Sequence, residues 1–375
     1  MIILFKNMEY NNYPQKKKKQ EYVIAKDEFI KFYSHIKEVK SIYSFGSVSM
    51  PGISDLDLLI IIDDAMDKKV KLKSYLDFSK SSSYILSHNP FIFPASQVKS
   101  INKIFNFKNL KHEYGPKIII DQNKQEDNLF ILIDLCNYFY PRIFLTFLHE
   151  HSIDIRLNIQ LLNAFRHSVL MAYDLFIISK QQKELFDRFF NELDKFKIEF
   201  FKNTKNVNIS KLKYLNNKAV LKSFTLVKYI DKYIKLNYWQ DTLNKNNIVA
   251  LYKKSGYIFI KDYDQYPVVK IMISLYNKFG GWISILPDSF LYPLIKYSHV
   301  RGLISNLIKN NLILYSVKFL TFKNIENALT TRSKILNNHY KFYKDKININ
   351  PVHDYYQMSG RNIKDSEIKK ICKMI

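Results

Sequence analysis

The sequence predicts an α+β protein, with strands in the first 140 residues and helices after them. Three observations point there. Residues 58–62, Leu-Leu-Ile-Ile-Ile, form a short continuous apolar run rich in β-branched side chains, which suits a strand buried on both faces. Residues 39–45 form a second strand-like run that ends directly in Gly46-Ser47. Beyond Pro141 the apolar residues recur instead at helical spacing, as in residues 159–178 and in Leu185, Phe186, Phe189, Phe190, Leu193 and Phe196.

Residues 1–20 read as a basic, flexible tail, because they end in Gln15-Lys16-Lys17-Lys18-Lys19-Gln20, a charge run that solvates easily. Ala25, Phe29, Phe32, Tyr33 and Ile36 then share one face of a helix. The strand at 39–45 delivers the chain to Gly46-Ser47, Pro51-Gly52 makes a turn, and residues 55–62 form the next strand. Asp63-Asp64 and the lysine-rich segment 68–73 lead into a helix whose Lys68, Lys69, Lys71 and Lys73 read as a solvated face rather than a triphosphate clamp. Residues 81–116 carry Ser81-Ser82-Ser83, Asn89-Pro90, Pro94 and Gly115-Pro116 and read as loop-rich. Residues 117–121 and 129–135 are two apolar runs around a polar stretch at 122–127, the pattern of a β-hairpin with a long turn.

The first domain is placed at 21–140 and a helical domain at 141–245, with residues 159–178 as its buried helix and a further helix over 220–238. A mainly helical region follows at 246–350, with short strands at 257–260 and 282–286 and helices at 303–314 and 324–343. Residues 351–375 read as a tail, and no internal repeat is found.

Composition narrows the setting. The 47% hydrophobic and 25% charged content is that of a globular protein, and no apolar stretch approaches the roughly 18 residues of a membrane span. The apolar run Met1-Ile2-Ile3-Leu4-Phe5 is too short for a signal peptide, and the two cysteines, Cys136 and Cys372, form no disulfide or zinc framework, so a cytoplasmic location is expected. The net charge of +24 suits an acidic partner such as RNA. Only seven of the 58 basic residues are arginine, however, and the abundance of Lys, Asn, Ile, Tyr and Phe also matches AT-rich codon usage.

The chemistry concentrates in residues 45–62, Phe-Gly-Ser-Val-Ser-Met-Pro-Gly-Ile-Ser-Asp-Leu-Asp-Leu-Leu-Ile-Ile-Ile. Asp55 and Asp57 are two apart, so in a strand they face the same way. Like charges that close repel, and a divalent cation between them relieves the repulsion. Carboxylate oxygens plus substrate phosphates suit Mg²⁺, with Mn²⁺ as an alternative. Gly46 lets backbone approach an anion, and Ser47 offers a hydroxyl and an N–H at the first turn of a short helix. Nucleotidyl transfer through two metals about 3.5–4 Å apart asks for a third carboxylate on a neighbouring strand. Asp121 and Asp134 are the candidates. Asp121 fits ordinary turn chemistry, whereas Asp134 lies inside an apolar run, where an unpaired charge is costly, and is preferred.

Together, Gly46-Ser47, Asp55-Leu56-Asp57-Leu58 and the later Ile133-Asp134-Leu135 resemble the motif set of the DNA polymerase β-type nucleotidyltransferase superfamily, over about 40–140 of the chain. The spacer between Ser47 and Asp55 is shorter than in many small members. The resemblance implies a nucleotidyltransferase domain, a small mixed sheet with flanking helices, and catalysis with two Mg²⁺ ions. It makes Asp55, Asp57 and Asp134 metal ligands and catalytic residues, and Gly46 and Ser47 nucleotide-binding. The implied reaction moves an NMP from an NTP, ATP by default, to the hydroxyl of an RNA 3′ end, a small molecule or a protein. A catalytically silent protein that binds nucleotide or RNA is the alternative. Arg166, inside the apolar helix of the second domain, is a candidate for the γ-phosphate, with pairing to an acidic neighbour as the simpler reading. His149-Glu150-His151 is a poor metal motif, because side chains two apart on a helix diverge.

Overall fold

Five consecutive apolar side chains need cover on both sides, and the fold supplies it. In a computed structural model of the 375-residue chain, strand β3 (Asp57–Ile62) has Leu58, Leu59, Ile60, Ile61 and Ile62 at 1% exposure or less. Each such side chain contributes about 1.5–3 kcal/mol by leaving water. The structure describes residues 9–65, 68–105, 107, 109–120, 128–136, 152–202, 208–238, 250–251, 258–259 and 324–350. The protein is α+β, and its chain divides into two compact units.

The first unit comprises Pro14–Asp134 and Thr330–Arg361. Its sheet has the order β4-β3-β2-β5, built from β2 (Val39–Phe45), β3, β4 (Phe91–Pro94) and β5 (Lys111–Tyr114). β2 runs antiparallel to both β3 and β5, and β3 runs parallel to β4, so the sheet is mixed. Gly115, at φ +79°, turns the chain after β5; a Cβ there would sit 1.9 Å from the Lys40 carbonyl oxygen, so only glycine fits. Helix α1 (Lys19–Tyr33) buries Tyr22, Ala25, Phe29 and Tyr33, the expected spacing, and stacks Phe29 and Tyr33 against Phe78. The lysine run enters the fold at Lys17, which pairs with Glu21 at 3.0 Å and bonds the Ser81 hydroxyl.

Three local expectations change. Residues 81–116 are structured: helix α2 (Lys80–Leu86), capped by Ser79, then β4, a 3₁₀ helix (Ala95–Lys103) and β5. Local Ser and Pro residues here serve as caps and edges rather than as loop. The segment 68–73 is not a helix; Val70 bridges to Ile347 in parallel, and Leu72 and Asn348 exchange backbone–amide hydrogen bonds. The hairpin over 117–135 is also absent. Residues 117–120 belong to no strand or helix and are tied by Ile118 to the Tyr43 hydroxyl, and residues 128–134 form helix α3 (Asn128–Asp134). A short apolar run has no period to separate strand from buried helix, and α3 is buried all round, from Phe130 to Asp134.

Helix α7 (Ile325–Lys346), expected over 324–343, brings its residues from 330 onward into this first unit. Arg332 donates to Asp134 Oδ1 at 2.7 Å with both side chains nearly sealed from solvent, at 4% and 3% exposure. His339 stacks on Phe93 at 4.1 Å and 10°, and its Nε2–H donates to the Ile92 carbonyl at 2.7 Å.

The second unit comprises Met1–Tyr13, Leu135–Leu329 and Asn362–Ile375. In it β1 (Glu9–Asn11) pairs in parallel with β6 (Ser152–Asp154), and Asp154 caps helix α4 (Ile155–Asp174) by accepting from the Leu157 N–H. Helices α5 (Lys180–Lys202) and α6 (Ile209–Tyr238) follow, and Phe165 of α4 packs against Phe186, Phe189 and Phe190 of α5. Two short strands, β7 (Ala250–Leu251) and β8 (Ile258–Phe259), close this part. The features expected at 282–286, 303–314 and 351–375 lie outside the described residues, as do Asp121, Cys372 and His149-Glu150-His151. Among the described residues no helix is long and apolar enough to cross a membrane.

Two consequences are measurable. Arg332→Ala strands a buried carboxylate and should lower unfolding free energy by about 3–5 kcal/mol, whereas an apolar pair at both positions (Asp134→Leu with Arg332→Met) should recover most of it. Chemical denaturation of the three proteins decides this, and an Arg332→Ala loss below 1 kcal/mol would show that the pair is not sealed. Burial also lowers His339 to about 4 from 6.5, only partly offset by its bond to Ile92. The unfolded chain therefore holds a proton between those pH values that the folded chain lacks. Stability is complete above about pH 6.5 and falls by up to about 3 kcal/mol as pH drops towards 4. His339→Gln should flatten that slope in urea titrations between pH 7 and 4.

Candidate metal centre

Strand register builds the site. Phe45 on β2 is the Cα partner of Asp57 on β3, so the residue after Phe45 meets the Asp57 carboxylate. That residue is Gly46, at φ +75°, and a Cβ on it would lie 3.3 Å from Asp57 Oδ2. A side chain there would crowd the carboxylate and add about 1–2 kcal/mol of backbone cost. Under this corner Phe45, Phe91, Phe105 and Phe107 pack edge to face or tilted, with centroids 4.6–5.4 Å apart for the closer pairs. Such pairs add about 0.5–1.5 kcal/mol each beyond their burial, which gives the strand ends a rigid base.

The connection over 46–56 is tied down at its far end. The Tyr22 hydroxyl donates to the Ser54 carbonyl at 2.5 Å and accepts from Gly52 N–H at 2.9 Å. The Tyr84 hydroxyl donates to the Gly52 carbonyl at 2.6 Å, and Leu56 N–H bonds the Ile85 carbonyl at 3.0 Å. Ile53 is fully buried. These contacts fix the approach to Asp55.

The parallel neighbour adds a third group. β3 pairs with β4 so that Leu59 faces Phe91, which brings the residues ahead of β4 beside the start of β3. Ser87, at φ +62°, ends α2 and turns the chain into His88. His88 Nε2 lies 3.0 Å from Asp57 Oδ1, and Nδ1 lies 2.7 Å from the Asn89 carbonyl. Asn89 is itself held: its Oδ1 accepts from Tyr75 N–H at 2.9 Å, and its Nδ2 donates to the Asn350 carbonyl at 2.8 Å. Asp55, Asp57 and His88 each present one ligand atom, and these atoms lie within 4.8 Å of one another. No other such trio occurs among the described residues.

Burial pushes the His88 imidazole down, yet its bond to Asp57 and the charges of Asp57 and Asp55 outweigh that and raise it to about 9. At neutral pH the ring is an imidazolium beside two carboxylates. It offsets part of their repulsion when no other cation is present.

The sequence-derived candidates fare unequally. Gly46, Asp55 and Asp57 come together. Ser47 is exposed, and no helix starts there; Ser49 N–H bonds its carbonyl in a tight loop, so the expected helix N-terminus is absent. Asp134 ends helix α3 rather than lying on a strand, accepts from Arg332, and stands outside the trio. Arg166, on α4 of the second unit, donates to Asp194 Oδ2 at 2.7 Å and to the Phe190 carbonyl at 3.2 Å, with its guanidinium 5.0 Å over the Phe190 ring. His88 was not among the candidates. The available signal was a histidine in His88-Asn89-Pro90 directly before the apolar run Phe91-Ile92-Phe93.

Comparison of the chain with protein-family models, with curated proteins and with solved structures finds no match.

The electrostatic account has a direct check. In metal-free protein the His88 ring should titrate by NMR near 9, and Asp57→Asn should bring it down by about one unit or more, because half of the attracting pair is lost. A titration that ignores Asp57→Asn would contradict the geometry.

Proposed function

We propose that the chain is a divalent-cation-dependent nucleotidyltransferase, which moves a nucleoside monophosphate from a triphosphate to an acceptor hydroxyl and releases pyrophosphate. The observation that carries this reading is the placement of Asp55 and Asp57 at one strand end, beside a positive-φ glycine that terminates the adjacent antiparallel strand. Such an end offers hard oxygen ligands and close backbone together, the two needs of a cation–triphosphate complex.

The donor set fits a dication. Two carboxylates within reach of one another repel unless positive charge joins them, and here a histidine ring nitrogen lies 3.0 Å from one of them. Asp55 and Asp57 would hold the ion, and the ion would supply charge neutralisation at the α-phosphate and the leaving pyrophosphate. The chain's own residues do the rest. Gly46 leaves the carboxylate face of Asp57 uncrowded. Tyr22 and Tyr84 hold the 46–56 connection in one geometry, so the acceptor oxygen can be presented in line without the loop collapsing onto the carboxylates. In the transfer the acceptor oxygen bonds to the α-phosphorus, the bond to the bridging oxygen of pyrophosphate breaks, and the hydroxyl proton passes to base. Asp134, paired with Arg332, is given a structural part in this reading, and Arg166 is given the pairing with Asp194.

A second reading, a silent protein that binds nucleotide or RNA, draws on one observation. His88 already sits on Asp57 as a counter-charge, so the carboxylates are tolerated without turnover.

The test follows pyrophosphate release with each NTP, Mg²⁺ or Mn²⁺, and cell RNA or metabolite extract as acceptor. Wild type should release it, and Asp57→Asn should lower the rate about 100-fold or more with the fold intact by circular dichroism. Absence of release under every condition favours the silent reading. The Asp134→Leu with Arg332→Met protein should stay active, and if it folds but is inert then Asp134 belongs to the chemistry.

A further inference from the structure

We propose that His88 is a third ligand of the Asp55–Asp57 cation site and biases it towards a dication that accepts imidazole nitrogen, Mn²⁺ in preference to Mg²⁺. The inference rests on the cation site of the proposed function but not on turnover.

Geometry carries it. The His88 ring nitrogen and the two carboxylate oxygens are mutually within 4.8 Å, a span that one ion can bridge after small side-chain adjustments. The other ring nitrogen is committed. Nδ1 lies 2.7 Å from the Asn89 carbonyl, so in the neutral ring Nδ1 carries the proton and Nε2 presents its lone pair towards the carboxylates. Metal-bound histidines are set in this way, by a carbonyl or carboxylate on the far nitrogen.

The support extends further out. Asn89 receives Tyr75 N–H and the Ser74 hydroxyl on its side-chain oxygen and gives its amide hydrogen to the Asn350 carbonyl. Phe91 sets its ring edge-on to His88 with centroids 5.8 Å apart. The imidazole is therefore held from its backbone and its flank.

A simple counter-charge has no need of this arrangement. Lysine or arginine would neutralise Asp57 equally well, and would then exclude a dication from the site. Imidazole has a ring nitrogen that can bind a metal ion, which an ammonium or a guanidinium lacks, and here that nitrogen lies beside the carboxylates. Mg²⁺ takes oxygen ligands and keeps water, whereas Mn²⁺ and its neighbours in the first transition row accept nitrogen as well as carboxylate. A mixed set of two carboxylates and one imidazole thus separates the two ions, where carboxylates alone would not.

The experiment uses the full chain without nucleotide. Free Mn²⁺ is followed by electron paramagnetic resonance during titration, with Mg²⁺ added as competitor, and the bound ion is examined for ¹⁴N coupling from an imidazole. Wild type should show that coupling and hold Mn²⁺ about tenfold or more tighter than Mg²⁺. His88→Gln, which offers oxygen in place of nitrogen, should lose the coupling and most of the preference. Bound Mn²⁺ without ¹⁴N coupling overturns the proposal and leaves His88 as a counter-charge. So does an unchanged preference in His88→Gln. If the variant fails to fold, the coupling in wild type still decides. No binding of either ion removes the cation site itself, while coupling without pyrophosphate release removes only the transferase reading.

Discussion

The placement of two aspartates together at the start of a buried strand is the constraint that the neighbouring segments share. Asp57 opens a strand whose next five side chains are sealed from water, and Asp55 lies two residues ahead of it, held by the Leu56 N–H bond to the Ile85 carbonyl. The surroundings answer that constraint from each side. Glycine rather than a bulkier residue ends the antiparallel neighbour, and an imidazole rather than an apolar side chain precedes the parallel one. Ordered aromatic packing below keeps both neighbours in register.

The same logic of opposite charge recurs at a distance. Asp134 is buried in an apolar helix, and a carboxylate in that position requires a cation. Arg332 provides it, from a helix far along the chain. Buried ion pairs of this kind add little net stability over apolar packing, but the loss of one partner is severe. This pair joins the C-terminal end of α3 to a helix 198 residues further along the chain.

Much of this was legible in the sequence, for identifiable reasons. Strands 39–45 and 57–62 were readable because their burial is written in consecutive apolar residues bounded by Gly46 and by Asp63-Asp64. The pairing of Asp55 and Asp57 with Gly46 followed from strand parity and proximity in sequence. Helices 155–174, 180–202 and 325–346 announced themselves by period. What was hidden depended on tertiary partners. Residues 129–133 have the same apolar content in a strand as in a buried helix, and only the packing chose helix. His88 belongs to the site through β3–β4 register, which no local pattern encodes. Val70 and Leu72 read as part of a lysine-rich helix until Ile347 and Asn348 are seen beside them.

The docking of residues 330–350 has a consequence for synthesis. Arg332 is separated from Asp134 by 198 residues and His339 from Ile92 by 247, so the sheet and its acidic helix leave the ribosome long before their partners exist. At about 5–20 residues per second, that interval lasts on the order of 10–50 seconds. During it Asp134 lacks its arginine partner and the flank of β4 its stacked histidine, so this unit is incomplete until the late segment emerges. The fold of this unit is thus completed late, when residues 330–350 reach a sheet made from residues 39–114.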